Sequence, residues 1–449
     1  MTKPKAALIP RILVVLGTML VGLFLYLPAR SRDEVLTLEE AIRIALKSNE
    51  AALIADEKLE AADARLTQAR AFFMPTLTLN AGYTRRPFEV VRIVGNSQIT
   101  VQNYNALSGS ANLSMVLFNS SNIPALQQAK ADLRAERLTT AESYRQLAFD
   151  VGTAYLATLG VDQLLEASRS RLEFAQQSLD AARARHAAGL VSRNDVTRAE
   201  LEFATAEMGV TQVQGQVETT YLNLGYLLNN PPPEKLATPE VLLQAVEAEI
   251  PPVGQLIAEA QNRRPDISSL RWRAKSQHAA VLEPLLRWLP SLTFTGRYTY
   301  TNEAGLTGRN FNWSLGMSMG WTIFDGLTRN GDYAESKAVA HQADLNLQAA
   351  LRQVELDVRD ALAILESQRA ALKLAQTTSD VAKKNAAETA ELYRQGLSSA
   401  LEVADANYSL FNANVNLVRA RYGLGTAYLA LEAALGLDPL GKDPENENP

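Results

Sequence analysis

The sequence predicts a mainly α protein with a membrane β element, internally duplicated, in which several chains pool their strands into one barrel. Three observations carry that prediction: a strand pair with strict two-residue alternation, a second copy of it elsewhere in the chain, and helical segments far longer than a globular domain needs. In Phe311–Phe324 one parity reads Phe311, Trp313, Leu315, Met317, Met319, Trp321 and Ile323, and the other Asn312, Ser314, Gly316, Ser318, Gly320 and Thr322. Large apolar side chains on one face and small polar ones on the other suit a lipid-facing wall around a wet lumen. A soluble sheet can alternate similarly. Trp313 and Trp321 stand eight residues apart, which at about 3.3 Å per residue is roughly 25 Å, near the spacing of two interfacial aromatic girdles.

The preceding run Leu292, Phe294, Gly296, Tyr298 and Tyr300 continues the alternation, with Asn302–Asn310 as a polar loop between the two strands. Pro75–Tyr83 matches Pro290–Tyr298 at an offset of 215, and Ser110–Phe118 matches Gly316–Phe324 at 206, so the first loop is nine residues longer. An open sheet edge in lipid leaves backbone groups unpaired at several kcal/mol each. Four strands are too few to close, since the smallest membrane barrels need about eight, so identical chains are expected to share one wall.

Met1–Val35 opens with Lys3, Lys5 and Arg11, followed by an apolar run of 17 residues from Ile12 to Pro28. It reads as a signal peptide, with an uncleaved N-terminal hydrophobic anchor as the alternative. Helix is expected over Leu38–Phe73, Asn122–Asn229, Val253–Trp288 and Asn330–Leu435. In the second of these, Leu147, Val151, Ala154, Thr158, Val161 and Leu165 step by four and three, which is a heptad seam. The copy 207 residues on, Val354, Val358, Ala361, Leu365, Gln368 and Leu372, keeps the register with one polar substitution.

Each long segment has one interior break, at Gly189-Leu190 and at Gly396-Leu397, where glycine supplies the left-handed residue that ends a helix. Ser192, and Ser398 or Ser399, can cap the helix that follows. Two antiparallel helix pairs with tight tips result. From Asn122 to Gly189 the reach is roughly 100 Å at 1.5 Å per residue. The chain therefore divides into a first repeat at 36–230, a linker at 231–252 with a short element at Val241–Val246, a second repeat at 253–436, and a polar, Pro-rich tail at 437–449 expected to be disordered.

Composition excludes several functions. With 449 residues, no Cys and a net charge of −5, the chain has no disulfide, no thiolate nucleophile and no basic stripe for nucleic acid. His186, His278 and His341 stand singly, so no metal site and no cofactor are expected. A Gly-rich phosphate loop in a strand-to-helix setting is absent too, and the chain reads as a non-enzyme.

In order along the chain, Asn262-Arg263-Arg264-Pro265-Asp266-Ile267, Leu289-Pro290-Ser291-Leu292, Trp321-Thr322-Ile323-Phe324-Asp325-Gly326 and the tip Tyr393-x-x-Gly396-Leu397 with Glu402 and Asp405 resemble the TolC family of trimeric outer-membrane efflux and secretion channels. The resemblance covers roughly Leu36 to Leu437. It implies a homotrimer whose chains give four strands each to a 12-stranded β-barrel, continuous with an α-helical barrel across the periplasm. It also implies a tripartite assembly with a periplasmic adaptor (membrane fusion) protein and an inner-membrane transporter, with outer-membrane lipid around the sheet.

By the same resemblance Glu402, Asp405, Tyr393 and Asp195 belong to a pore constriction, with an Asp195 to Tyr393 hydrogen bond as its lock. Gly189, Leu190, Ser192, Gly396, Leu397 and Ser398 form the tips that an adaptor contacts, and Trp313, Trp321 and Tyr298 are membrane-interface aromatics. Ser398 stands where the family has an arginine of the closing network, a part that Arg193, Arg198 or Arg394 could take over. The plainer alternative is that Glu402 and Asp405 are ordinary solvated acids of a long helix; Trp272 and Trp288 lie in helical sequence and are read as packing residues. The rival reading is a non-channel periplasmic helical-hairpin adaptor or structural protein held by its N-terminal segment.

Overall fold

The computed structural model describes residues 35–95, 97–232, 235–239, 251–303 and 309–441. The leader up to residue 34, the Val241–Val246 element and the tail from 442 lie outside these residues. In chain order the elements are α1 (Leu38–Ser48), α2 (Glu50–Ala71), β1 (Thr76–Arg85), β2 (Val90–Val94), β3 (Ser97–Gln102), β4 (Asn105–Phe118), α3 (Asn122–Ala187), α4 (Arg193–Leu228), α5 (Val253–Arg263), α6 (Pro265–Ala280), α7 (Leu282–Leu286), β5 (Ser291–Thr301), β6 (Phe311–Gly320), α8 (Thr328–Arg394) and α9 (Ala400–Leu435).

The two expected long helices are continuous, at 66 residues for α3 and 67 for α8. The two shorter ones are not. Leu38–Phe73 breaks at Asn49, which is extended and serves both as C-cap of α1 and N-cap of α2, accepting from the Ala51 amide at 2.8 Å. The Asn49 side-chain Nδ2 also donates to the Leu227 carbonyl at 2.8 Å, so the break is where the chain is tied to the end of α4. Val253–Trp288 breaks at Arg264, which precedes Pro265 and is held out of the helical region.

The four wall strands form one antiparallel sheet in the order β1-β4-β5-β6. Register puts Leu77, Leu79, Ala81 and Tyr83 of β1 on the same face as Leu113 and Met115 of β4, Phe294 and Tyr298 of β5, and Trp313, Leu315 and Met317 of β6. The opposite face carries Thr, Ser, Asn and Gly almost throughout. Every residue of β1 and β6 is exposed, including Leu79 at 74% and Trp313 at 66%. An apolar face left this open is a surface for lipid, because a soluble fold would cover it.

Two expectations on this sheet need correction. The longer first loop is an ordered hairpin, β2 pairing with β3, because Val90–Val94 and Ser97–Gln102 flank a turn at Gly95 with φ 62. The strand expected to run to Phe324 ends at Gly320, so Trp321 lies in the turn beyond it and donates its indole N–H to the Trp288 carbonyl at 3.0 Å. Trp288 is exposed at 46% and lies under the Arg329 guanidinium, 3.8 Å from the ring centre. It stands at the foot of the sheet and is no interior packing residue.

The seams are buried over part of their length, while Ala154, Val161, Leu165, Gln368 and Leu372 are half-buried. Val151, Thr158, Val354, Val358 and Leu365 are fully enclosed, and the two cores they form share α9, which contributes Tyr422 and Leu429 to one and Leu424, Leu431 and Leu435 to the other. The polar substitution Gln368 lies against Gly423, where a Cβ would come within 3.1 Å of its Oε1. Tyr155 is wholly buried, and its hydroxyl is shared between the Leu36 carbonyl at 2.6 Å and the Ala237 carbonyl at 2.7 Å. It ties Leu36 and the 235–239 segment to the middle of α3, where Leu36 and Leu236 form a parallel bridge.

Glu432 is buried at 4% exposure with Oε2 unpartnered, and burial pushes its carboxyl up to about 7, aided by Asp438 and opposed by the Tyr428 hydroxyl. A carboxyl raised on folding stabilises the fold below its unfolded value, and that contribution is lost as pH rises through the folded value. Between pH 4.5 and 7.5 the stability is expected to fall by about 2–3 kcal/mol. Glu432→Gln should flatten that slope, read as the unfolding midpoint at the two pH values; an unchanged slope would assign the dependence elsewhere.

Candidate functional site

The two hairpin tips are built alike from the same local chemistry. After α3, Gly189 at φ 71 lets its N–H reach the His186 carbonyl and the Leu190 N–H reach the Arg185 carbonyl, both at 2.9 Å. After α8, Gly396 at φ 76 does the same with Tyr393 at 3.2 Å and Leu392 at 2.9 Å. These paired bonds satisfy the last carbonyls of each helix, and nothing lies within 4 Å of a Cβ at either glycine. Glycine is there for the backbone angle and not for room.

Each returning helix opens with a reciprocal cap. Ser192 Oγ accepts from the Asp195 N–H at 3.3 Å while Asp195 Oδ2 accepts from the Ser192 N–H at 3.0 Å. In the second tip Ser399 Oγ accepts from the Glu402 N–H at 3.2 Å, and Glu402 Oε2 accepts from the Ser399 N–H at 2.7 Å. Ser399, not Ser398, is the cap. The Ser398 hydroxyl is a further donor to Glu402 at 2.6 Å, and together these bonds hold the Glu402 carboxyl below its ordinary value, Ser398 contributing most. The spacing Ser-x-x-Asp and Ser-x-x-Glu was the available signal for both boxes.

Within the protomer no hydrogen bond joins Asp195 to Tyr393, because the Asp195 carboxylate is occupied by Ser192. Tyr393 is met instead by Arg185, whose guanidinium lies over its ring at 4.1 Å. The two groups sit on the last turns of α3 and α8, so this contact joins the first hairpin to the second. Arg185 carries no motif that would single it out among the basic residues ending a helix. Of the arginines considered for the closing network, Arg394 is paired with Glu391 of its own helix at 2.5 Å. A second junction lies further from the tips, where Arg171 pairs with Glu202 at 2.8 Å and stacks on Tyr408 and Phe411 at 5.2 and 4.9 Å.

Glu402 and Asp405 are both exposed on the first turns of α9, and Leu190 and Leu397 are exposed at 74% and 72%. At the far end of the molecule Tyr298 and Trp313 are register partners on the outer face near the loops, and Trp321 and Trp288 stand at the helical end. Among the described residues no group of three or more His, Asp or Glu is placed to hold a metal ion.

A sheet with lipid on one side and polar residues on the other, set on helix pairs whose longer member is about 100 Å, defines the subunit of an outer-membrane channel. The chain belongs to the outer membrane efflux protein family, whose sequence model matches residues 41–230 and 256–437. It is 23% identical over 425 residues to outer membrane protein TolC of Escherichia coli K12, covering 87% of this chain and 83% of that one. It is 28% identical over 432 residues to protein CyaE of Bordetella pertussis, covering 94% and 89%. In fold it is similar to the open state of the MtrE outer membrane channel of Neisseria gonorrhoeae, with a TM-score of 0.75 at 21% identity over 91% of both chains. VceC of Vibrio cholerae is superimposable with a TM-score of 0.72 at 20% identity over 89% of this chain and 96% of that one. The protein is an outer-membrane efflux channel subunit, and the reading as a non-channel periplasmic adaptor is not favoured.

Proposed function

We propose that three copies close one passive duct across the outer membrane and periplasm. The observation that carries this is the four-stranded sheet with two unpaired edges, β1 and β6. Unpaired edges do not persist in lipid. Successive strands run antiparallel, so β1 and β6 point in opposite directions and β6 of one copy can pair with β1 of the next in the same sense as every pair within the chain. Three copies give twelve strands, and the repeats at 36–230 and 253–436 each contribute one hairpin of strands and one of helices. The duct would hydrolyse nothing. Drive comes from an inner-membrane transporter reached through a periplasmic adaptor that grips the exposed tip leucines, and opening is a tilt and twist of the tips.

Glu402 and Asp405 of three copies would ring the periplasmic entrance with carboxylates, attracting cations. Arg185 on Tyr393 takes the holding part first expected of Asp195. Arg185→Ala and Tyr393→Ala are expected to raise the conductance of the reconstituted protein in planar bilayers several-fold, whereas Tyr393→Phe, which keeps the ring, should not. Asp195→Ala removes only the reciprocal half of the capping box, since the residue-195 N–H still donates to Ser192 Oγ, and should leave closure intact. Unchanged closure in both alanine variants of the Arg185 contact would remove it from the gate.

A further inference from the structure

The polar face of the sheet carries a single charge. Along the four wall strands the residues on that face are Thr, Ser, Asn and Gly, with Ala106 and Val116 as the apolar exceptions, and Arg297 stands among them. Its register partners are Asn112 on one side and Ser314 on the other, and its Nε donates to Asn112 Oδ1 at 2.9 Å. That bond orients the guanidinium and leaves its terminal nitrogens uncommitted by any ion pair among the described residues. Two further arginines at the ends of the sheet are paired: Arg86 with Glu303 at the loop end, and Arg329 with Asp325 at the helical end. Arg297 lies six residues from the first residue of β5 and four from the last. That is about 20 Å from the helical end and about 13 Å from the loops.

We infer that Arg297 forms an anion-selecting belt in the outer half of the channel, taking carboxylate, phosphate or sulfonate groups of passing cargo. The inference rests on the proposed duct: symmetry sets three guanidiniums at one height on its inner wall. Rings of basic side chains favour anions, as rings of acids favour cations. Asn112 contributes as a positioning residue, because a guanidinium held at Nε presents its remaining N–H groups in a fixed fork suited to an oxyanion. The duct then has carboxylates at its periplasmic entrance and guanidiniums near its exit.

The test uses the full chain in planar bilayers under a potassium chloride gradient at about 0.01 M, where the screening length is about 30 Å. To unmask the belt the tip acids are neutralised first, as Glu402→Gln with Asp405→Asn. That channel is expected to prefer chloride, adding Arg297→Gln should lower the chloride to potassium permeability ratio about threefold or more, and Arg297→Lys should restore most of it. Inorganic pyrophosphate added on the loop side should block the wild type and fail to block Arg297→Gln. An unchanged permeability ratio together with unchanged pyrophosphate block in Arg297→Gln would overturn the belt while leaving the duct standing. A wild type that folds and inserts but carries no current would overturn the duct, and the belt with it.

Discussion

Leu315→Arg is expected to stop the protein from assembling in the outer membrane, whereas Ser318→Arg, on the same strand and the opposite face, leaves assembly intact. Leu315 is at the middle of β6 on the apolar face, 65% exposed, and lies over Gly296 of β5, where a Cβ would come within 3.2 Å of Leu315 Cδ2. An arginine on the lipid face at mid-bilayer costs about 2–4 kcal/mol, so three symmetric copies would cost about 6–12 kcal/mol. That is as large as the whole stability of an ordinary fold. Ser318 pairs with Thr293 on the polar face, where a long basic side chain extends into water. Heat-resistant oligomer on gels and outer-membrane fractionation report the outcome. Equal behaviour of the two variants would mean that the two faces are not a lipid side and a wet side.

Tyr155→Ala is expected to be the most damaging truncation in the helical body. The ring fills a site with no solvent access in the core formed by α1, α3, α4 and α9. Removing a buried aromatic costs about 3–5 kcal/mol through lost transfer energy and the cavity left behind. The hydroxyl adds to this, since its proton is lost to the Leu36 and Ala237 carbonyls, of which Leu36 still accepts from the Ala237 N–H at 2.9 Å. Tyr155→Phe isolates that part and should cost about 1–3 kcal/mol. Denaturation of the solubilised protein followed by helical circular dichroism gives both numbers, and amide exchange at Leu36 and Ala237 should rise in both variants. Full-length stability within 1 kcal/mol of wild type in the alanine variant would contradict the packing described.

The parts of this fold legible in sequence are those written as a local repeat. Alternation from Phe311 to Gly320 exposed the wall because each face of a strand meets one solvent, and the seams at Leu147 and Val354 exposed the long helices because a heptad recurs over many turns. The tips were legible through Gly189 and Gly396, whose backbone angle few other residues adopt. What escaped was set by partners distant in sequence. The break at Asn49 follows from its contact to Leu227, and the hairpin β2–β3 was hidden in a stretch read only as extra loop; the break at Arg264, by contrast, is written locally in the proline that follows it. The partner of Tyr393 belongs to a helix more than two hundred residues earlier, so no pattern around Tyr393 could name Arg185.

The uninterrupted course of α3 has a mechanical consequence. From Tyr155, anchored in the core, to its end at Ala187 the helix runs 32 residues, a stiff lever of about 50 Å. Moving its free end sideways by about 5 Å, enough to change the bore of a narrow entrance, asks for a swing of only about 6° about that fulcrum. So small an angle falls within the play of packed helices, and the membrane end of the molecule can stay still while the far end moves.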